Sequence, residues 1–327
     1  MQEETIGQSI EKFADKIEKA SSMGLKLELS QKQFDRIFVI GMGASGFMGD
    51  LLKAYLAELG SRIEVIPMKD YNIPEFVDSR SLVFVVSYSG NTEETIYAYK
   101  LAKVKAGRTI AVTSGGKLEK ECMSSGTPVI KIPEGMKPRA AFPYLFFPVV
   151  NTLISSGVIK AEVNYRSIIS ALRIMGLREK ADELSEKMLT KTPLIYASSR
   201  FYPVALRWKQ AINENANTHA FCNILPEMNH NEIMAFAKET DDFMAVMLGD
   251  EADFSKIRKR ISITEDITRK SCETTEIVLK GDDYLTKVFS AIYIGDLTSY
   301  LLAQKYNISP DDTQIIEGIK DKLKKTG

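Results

Sequence analysis

Histidine, cysteine and long apolar runs are scarce in this chain of 327 residues, which contains two histidines and three cysteines. Cys122, Cys222 and Cys272 are odd in number and far apart. They match neither a disulfide framework nor a Cys-x-x-Cys metal site, and they suit a reducing compartment. No apolar run approaches the roughly 18–20 residues of a membrane span, and the N-terminus lacks the apolar core of a signal peptide. We therefore expect a cytoplasmic protein that has no membrane partner.

An excess of charge of either sign is also lacking. The chain has 43 basic and 43 acidic side chains, for a formal net charge of +0. No long-range field favours nucleic acid, so we expect no nucleic-acid partner, and any bound anion must be held by local groups. A hydrophobic content of 44% and a charged content of 26% are typical of a globular protein, and the length suits two domains.

Short apolar runs alternate with helical stretches along the chain, which is the pattern of repeated βα units. Five such runs predict strands in the first half, and three more follow a charged helical stretch at 165–191. The predicted strands are residues 36–40, 62–67, 81–87, 108–113, 128–132, 193–197, 243–248 and 275–279. Because helices intervene, the strands should be parallel, so the predicted fold class is α/β.

Two loops rich in glycine and hydroxyl groups follow predicted strands of the first half. In GMGASG, Gly43 lets backbone N–H groups approach a ligand, and Ser45 adds a hydroxyl at a helix N-terminus. In SYSGNTEET, the hydroxyls of Ser87, Ser89 and Thr92 also precede a helix. Because ligands of open α/β sheets bind outside the carboxyl ends of the strands, both loops are expected to converge on one anion, a phosphate.

Arg139, in the segment KPRAAF, is expected to add a charge-assisted contact to that anion. A capped turn is the structural alternative for SYSGNTEET, because Thr92 and the two following glutamates suit any helix N-terminus. Dinucleotide binding is the functional alternative, since GMGASG satisfies G-x-G-x-x-G and Glu64 lies on or near the next strand. The dinucleotide fingerprint leaves SYSGNTEET unexplained.

The two histidines, His219 and His230, follow Glu214 within sixteen residues. Glu214 lies near the C-terminal end of a helix predicted at 203–215, where the helix dipole disfavours negative charge and so favours a proton acceptor. We expect Glu214 to remove a proton α to a carbonyl. A histidine that titrates near neutrality can exchange a proton with a ring oxygen, and this role is assigned to His230; His219 is interpreted as a solvated side chain.

A metal site is the alternative for the segment PEMNHNE, because Glu227, His230 and Glu232 are ligand types for Zn²⁺ or Mn²⁺. No second histidine lies at helical ligand spacing, and the cysteines are remote in sequence. We therefore expect neither a metal nor any other cofactor.

Taken in order, SYSGNTEET, PRAAF, NENAN and PEMNHNE resemble the sugar isomerase (SIS) domain superfamily, and in particular the bifunctional phosphoglucose/phosphomannose isomerases. The resemblance covers nearly the whole chain. It implies a homodimer and two SIS subdomains, each a mainly parallel five-stranded sheet flanked by helices. The implied divisions are an N-terminal helical segment (1–35), a first subdomain that binds phosphate (36–160), a linker helix with a second, catalytic subdomain (161–306) and a C-terminal helix (307–327).

The resemblance also implies roles for individual residues. The substrate phosphate is expected to be bound by Gly43, Ala44, Ser45, Ser87, Ser89, Thr92 and Arg139. Glu214 would move a proton between C1 and C2 through a cis-enediol, and His230 would assist ring opening from across the dimer. Two departures concern Ala44, where the family usually has glycine, and Asn217, where it usually has lysine.

The C-terminal helix carries one further match, because Glu317-Gly-Ile-Lys320 resembles the E-x-x-K of phosphoglucose isomerases. The resemblance implies that Lys320 assists ring opening and stabilises developing charge. Thr313 stands where conventional phosphoglucose isomerases carry glutamine, and a smaller residue there leaves room for both C2 epimers.

These residues predict reversible aldose–ketose isomerisation of glucose 6-phosphate and fructose 6-phosphate, with mannose 6-phosphate as a further substrate. Two alternatives remain open. One is an SIS module that binds sugar phosphates without turnover, and the other is an NAD(P)-dependent oxidoreductase.

Overall fold

The computed structural model describes residues 3–29, 33–174 and 176–326. The chain divides into two compact units. The first is formed mainly by Gln8–Ile174 with Lys280–Ser290, and the second by residues 176–279 and 291–326 with Thr5–Gly7. Each unit contains its own parallel sheet. Within the residues described, no helix combines the length and the apolar character needed to cross a membrane.

The sheet of the first unit has five parallel strands in the order β2-β1-β3-β4-β5. The strands are β1 (Arg36–Ile40), β2 (Glu64–Met68), β3 (Ser81–Val86), β4 (Arg108–Thr113) and β5 (Val129–Lys131). Every residue of β3 is buried, as expected for a central strand that is covered on both faces. All five strands predicted in this half are present.

Helices cover both faces of this sheet, and one cluster of the core joins Phe38, Val83, Tyr99 and Leu118. The helices up to residue 174 are α1 (Ile6–Glu11), α2 (Phe13–Ser21), α3 (Gly43–Glu58), α4 (Glu93–Lys105), α5 (Gly116–Ser125), α6 (Phe142–Ser155) and α7 (Tyr165–Leu172). A short 3₁₀ helix, η1 (Pro138–Ala140), precedes α6. Helix α6 is apolar on nearly every side, which explains why it lies buried against α3 and β4.

The sheet of the second unit has four parallel strands among the described residues, in the order β7-β6-β8-β9. They are β6 (Thr192–Ser198), β7 (Phe221–Leu225), β8 (Phe243–Gly249) and β9 (Glu273–Val278). Five strands were expected. After β9 the chain continues into a long apolar helix rather than a fifth strand, which accounts for the difference.

The remaining helices are α8 (Leu177–Lys187), α9 (Tyr202–Asn215), α10 (Ser255–Thr268), α11 (Tyr284–Lys305) and α12 (Gln314–Thr326). The short 3₁₀ helices are η2 (Ser199–Phe201), η3 (Glu227–His230) and η4 (Glu232–Ala237). The predicted charged helix at 165–191 is divided into α7 and α8, with Gly176 at a φ of 103° immediately before α8. The α/β class with two parallel sheets flanked by helices is confirmed.

Candidate active site

The two loops rich in glycine and hydroxyl groups lie side by side in the first unit. Strands β1 and β3 are adjacent and parallel, so residues 41–46 and 87–92 leave the same edge of the sheet. Ser45 is buried, and its Oγ accepts a hydrogen bond of 3.4 Å from the backbone N–H of Tyr88. This bond attaches one loop directly to the other.

The first loop turns tightly into α3. A Cβ atom on Gly46 would lie 2.4 Å from the carbonyl oxygen of Gly41, so the turn leaves no room for a side chain there. Gly43 begins α3 with a φ of +52°, in the left-handed region that favours glycine. The first turn of a helix presents N–H groups that have no partner within the helix, and here these belong to Gly43 and Ala44. The loop therefore offers N–H donors and a helix dipole to an anion.

The second loop presents its hydroxyl groups to one another and to solvent. The Oγ atom of Ser87 lies 2.9 Å from Oγ1 of Thr92. Ser89 is exposed, and its Oγ accepts a hydrogen bond of 3.2 Å from the N–H of Asn91. Thr92 precedes α4, but its side chain makes no capping hydrogen bond. The capped-turn interpretation is therefore wrong for Thr92, because its hydroxyl contacts Ser87 instead of the helix.

A third loop, residues 113–117 after β4, supports the second and was not singled out from the sequence. Ser114 Oγ donates a hydrogen bond of 2.7 Å to the carbonyl of Tyr88. The two loops pack so closely that a Cβ atom on Gly90 would lie 1.8 Å from the carbonyl oxygen of Gly115. The sequence contained a usable signal, because the residues Ser-Gly-Gly at 114–116 directly follow a predicted strand, as the other two loops do.

Arg139 lies in η1, with only 4% of its surface exposed. Its segment is attached on two sides. Lys16 Nζ donates to the carbonyl of Ala140 at 3.2 Å, and the N–H of Met136 donates to the hydroxyl of Tyr88 at 2.9 Å. Because Tyr88 belongs to the second loop, the segment that carries Arg139 is hydrogen-bonded to that loop.

Lys16 is in turn held by the N-terminal segment, since its Nζ lies 2.8 Å from a carboxylate oxygen of Glu4. Burial is the largest single influence on Glu4 and acts to raise its pKa. Hydrogen bonds from Lys16, Ser9 and Lys12 together outweigh burial and lower the pKa to about 2. The carboxylate therefore stays ionised near neutrality and keeps the buried ammonium paired.

In the second unit, Glu214 is the next-to-last residue of α9 and is half-buried. Two sets of buried hydrogen bonds attach α9 to α11. Arg207 donates to both carboxylate oxygens of Asp296, at 2.9 Å from Nε and 2.8 Å from a terminal nitrogen. Asn215 Nδ2 donates to Ser299 Oγ at 2.9 Å. The helix that carries Glu214 is thus fixed at both of its halves.

Close packing reinforces this attachment. Trp208 is fully buried, and its Nε1 donates to the carbonyl of Ala291 at 2.8 Å. A Cβ atom on Gly295 would lie 2.4 Å from Trp208, so only glycine allows α11 to approach the indole this closely.

The charge of Arg207 is maintained by two carboxylates. Burial, the largest influence, acts to lower the pKa of the guanidinium, whereas Asp296 and then Glu214 raise it, and the net change is upward. Glu214 therefore lies within electrostatic range of a permanently protonated group.

The segment after β7 carries the other candidates. His230 ends η3 and is exposed. The carboxylate of Glu232 accepts hydrogen bonds of 2.6 Å from the hydroxyl of Tyr196 and 2.6 Å from Nδ2 of Asn223. Both carboxylate oxygens of Glu232, one of the three ligand candidates with Glu227 and His230, are thus hydrogen-bonded within the protein. In the part of the chain that the structure describes, no group of three or more His, Cys, Asp or Glu side chains is arranged to hold a metal.

The remaining predicted residues lie apart from these networks. His219 is exposed and stacks on Phe221, with ring centroids 6.3 Å apart and an interplanar angle of 9°. Thr313 is half-buried, and its carbonyl accepts a hydrogen bond from the N–H of Glu317 at 2.9 Å. Lys320 is exposed and pairs with Glu317 at 2.8 Å, within α12. The structure thus groups the phosphate-loop candidates in the first unit, and Glu214, His230, Thr313 and Lys320 in the second.

Comparisons with known proteins agree with this geometry. The SIS domain model matches residues 28–142, and the model described as the bacterial phospho-glucose isomerase C-terminal SIS domain matches residues 177–323. The glucosamine-6-phosphate deaminase structure from Thermotoga maritima has a TM-score of 0.68 at 20% identity, covering 93% of this chain and 96% of that one, which supports the fold alone. Fold and family models together define an SIS-domain protein.

Two relatives are similar over almost their whole length. One, from Caldicellulosiruptor bescii, is called a bifunctional phosphoglucose/phosphomannose isomerase and is 34% identical over 97% of this chain and 98% of its own. The other, from Sulfolobus acidocaldarius, is called a D-glucosamine-6-phosphate 4-epimerase and is 32% identical over 89% and 90%. The chain belongs to the bifunctional phosphoglucose/phosphomannose isomerase family, as its motifs predicted.

Proposed function

We propose that this chain is an aldose–ketose isomerase that interconverts glucose 6-phosphate, and also mannose 6-phosphate, with fructose 6-phosphate. The observation that carries the proposal is the near full-length similarity to a relative of that name. The structure adds two features that this reaction needs, a set of hydroxyl and N–H donors around one sheet edge and a carboxylate held on a fixed helix.

Phosphate binding is assigned to residues 36–160. The support is physical: a phosphate needs several hydrogen-bond donors, and the three adjoining loops provide them at two helix N-termini. Arg139 adds a positive charge on a segment that is hydrogen-bonded to the second loop. A dinucleotide site would use the GMGASG turn but would leave the Ser87 and Thr92 hydroxyl pair without a function.

Proton transfer is assigned to Glu214, in residues 161–306. In this proposal the carboxylate takes the proton from C2 of the open-chain aldose while O1 gains a proton, so that a cis-enediol forms. The carboxylate then returns its proton to C1 while the O2 hydroxyl loses its proton, and the ketose results. Proton transfer on either face of C2 would accommodate both the glucose and the mannose configurations, and Thr313 would leave the space for them. No oxidant, metal or nucleotide enters this sequence of steps.

Ring opening is assigned to His230 and Lys320, the latter in residues 307–327. His230 is exposed in the protomer, which suits a side chain that serves a neighbouring subunit.

Helix α12 also exposes a row of apolar side chains, namely Ile315, Ile316, Ile319 and Leu323. Because an exposed apolar face favours association, these residues support the proposal of a homodimer. A cytoplasmic location remains a prediction.

Activity on both aldose phosphates, measured with and without EDTA, tests the proposed function. We expect both to be converted to fructose 6-phosphate, and we expect the chelator to leave the rates unchanged. Loss of activity in EDTA would instead favour a metal-dependent isomerase. Conversion of glucosamine 6-phosphate at C4 without any isomerisation would favour the activity for which the Sulfolobus relative is named. Failure to convert any sugar phosphate that binds would favour the non-catalytic SIS module.

Gly90→Ala is expected to raise the Kd for inorganic phosphate about 100-fold, since small displacements of a positioned group have effects of that order. Gly90 has a φ of +64°, and an added Cβ atom would meet the carbonyl of Gly115 at 1.8 Å, so the second loop must move. Gly60→Ala is the matched control, because Gly60 has the same φ of +64° but open space around its Cβ position. Calorimetric titration measures both variants. Unchanged phosphate affinity in Gly90→Ala would remove the loop from the binding site.

A further inference from the structure

The carboxylate of Glu232 is engaged by two side chains of the second sheet. Tyr196 lies on β6 and Asn223 on β7, and each donates a hydrogen bond of 2.6 Å to a different oxygen of the carboxylate. Tyr196 is only 1% exposed. Burial first, and then the hydrogen bond to Glu232 and its negative charge, raise the pKa of the Tyr196 phenol, so the phenol remains a donor. Hydrogen bonds to an ionised acceptor are stronger than neutral ones.

The residues before His230 are anchored as well. Met228 is completely buried and belongs to the same core cluster as Tyr196 and Leu225. Asn229 Nδ2 donates a hydrogen bond of 2.8 Å to Oγ1 of Thr264 on α10.

His230 therefore lies between anchored positions on both sides while its own side chain is exposed. The supporting backbone consists of the 3₁₀ helices η3 and η4, which are four and six residues long. Short 3₁₀ helices have poor hydrogen-bond geometry and little stability of their own. The orientation of His230 must then depend on the side chains that attach its neighbours to the sheet and to α10.

We propose that Glu232 is a positioning residue that holds the backbone of His230, through Tyr196 and Asn223, in the orientation required for ring opening. Glu232 need not touch the substrate. Its contribution is to remove conformational freedom from an exposed histidine before the substrate binds, and such preorganisation raises turnover. The proposal rests on the proposed function, in which His230 assists ring opening, and it accounts for an acidic residue that otherwise resembles a metal ligand.

A double-mutant cycle between Glu232→Ala and His230→Ala tests this dependence, with kcat for glucose 6-phosphate as the measurement. We expect Glu232→Ala alone to lower kcat about 100-fold, an effect typical of misplaced groups. In the His230→Ala background the same change should lower kcat less than about twofold, because the histidine that Glu232 orients is already absent. Such non-additivity identifies residues that act together. Equal losses in both backgrounds would overturn the proposal, since Glu232 would then act on the protein at large.

Two further variants keep the test decisive if Glu232→Ala folds poorly. Glu232→Gln retains an acceptor for Tyr196 but turns an amide donor toward Asn223, whose oxygen already accepts from the N–H of Ile224, so only part of the activity should return. Tyr196→Phe removes one donor and keeps the ring that packs against Phe236; its loss should again vanish in the His230→Ala background. Glu239→Ala is the matched control, since Glu239 is an exposed acidic residue shortly after the same segment. It should retain the activity of the unmodified protein.

Histidine NMR provides a readout that a general loss of stability would not reproduce. The chain contains only His219 and His230, so the two imidazoles are readily assigned. Glu232→Ala should change the NMR relaxation of the His230 imidazole and leave that of His219 unaltered. Parallel changes at both histidines would count against the proposal. Failure of the proposed function would be seen separately, as absence of isomerisation by the unmodified protein. Full activity in His230→Ala would contradict the role of His230 in ring opening, and it would therefore overturn the positioning role of Glu232 as well.

Discussion

Glu214→Gln is expected to lower turnover of glucose 6-phosphate by about three to four orders of magnitude, the upper range for loss of a general base. The glutamine side chain has the same shape but cannot accept the C2 proton. The proposed phosphate-binding residues belong to the other unit of the chain, so binding of inorganic phosphate should remain unchanged. Steady-state kinetics and calorimetric titration measure the two quantities on the same preparation.

Glu186→Gln is the matched control for this experiment. Glu186 is likewise the next-to-last residue of its helix, α8, and lies in the same unit, but it forms an exposed ion pair with Lys305. Its replacement should leave turnover unchanged. Exchange of the C2 hydrogen with solvent offers a second measurement, because it reports proton transfer even when product release is slow. Near-normal turnover or exchange in Glu214→Gln would remove this residue from the mechanism.

Most strands could be predicted from the sequence because a buried strand consists of consecutive apolar residues. Buried runs such as 81–87 and 109–113 are recognisable as strands without knowledge of their neighbours. Strand β7 was missed because FCNIL lies at the edge of the sheet, where its residues are mostly half-buried. An edge strand is specified largely by the strand it pairs with, and that partner cannot be read from five residues.

Some features of the candidate site could likewise be predicted from the sequence, and others could not. The phosphate loops were predictable because strand, glycine, hydroxyl and helix follow one another along the chain. The pair between Arg207 and Asp296 was not, because the two residues are separated by 89 positions and each alone resembles an ordinary helix charge. The role of Glu232 was hidden for a similar reason, since its partner Tyr196 lies 36 positions away. Contacts of this kind arise from the topology and not from local patterns.

Asp296→Ala is expected to reduce the free energy of unfolding by about 3–5 kcal/mol, the usual result of removing one partner from a buried ion pair. Arg207 is only 2% exposed and would lose the acceptor of the two hydrogen bonds that it donates to Asp296. Such a loss is a large share of the roughly 5–15 kcal/mol that stabilise most domains. Urea unfolding measures it. Asp182→Ala removes an exposed partner of Lys305 and serves as the control, with an expected loss below about 1 kcal/mol.

Replacing both members of the pair separates stability from catalysis. Arg207→Met with Asp296→Leu removes both charges of the pair, and apolar replacements of buried pairs are often neutral or stabilising by about 1–4 kcal/mol. Stability should therefore recover. Turnover should nevertheless fall below that of the unmodified protein, because the double variant lacks the positive charge that lies within electrostatic range of Glu214. If the double variant kept both the stability and the turnover of the unmodified protein, the pair would serve only to attach α9 to α11. Glu214 would then need no charged neighbour to act as a base.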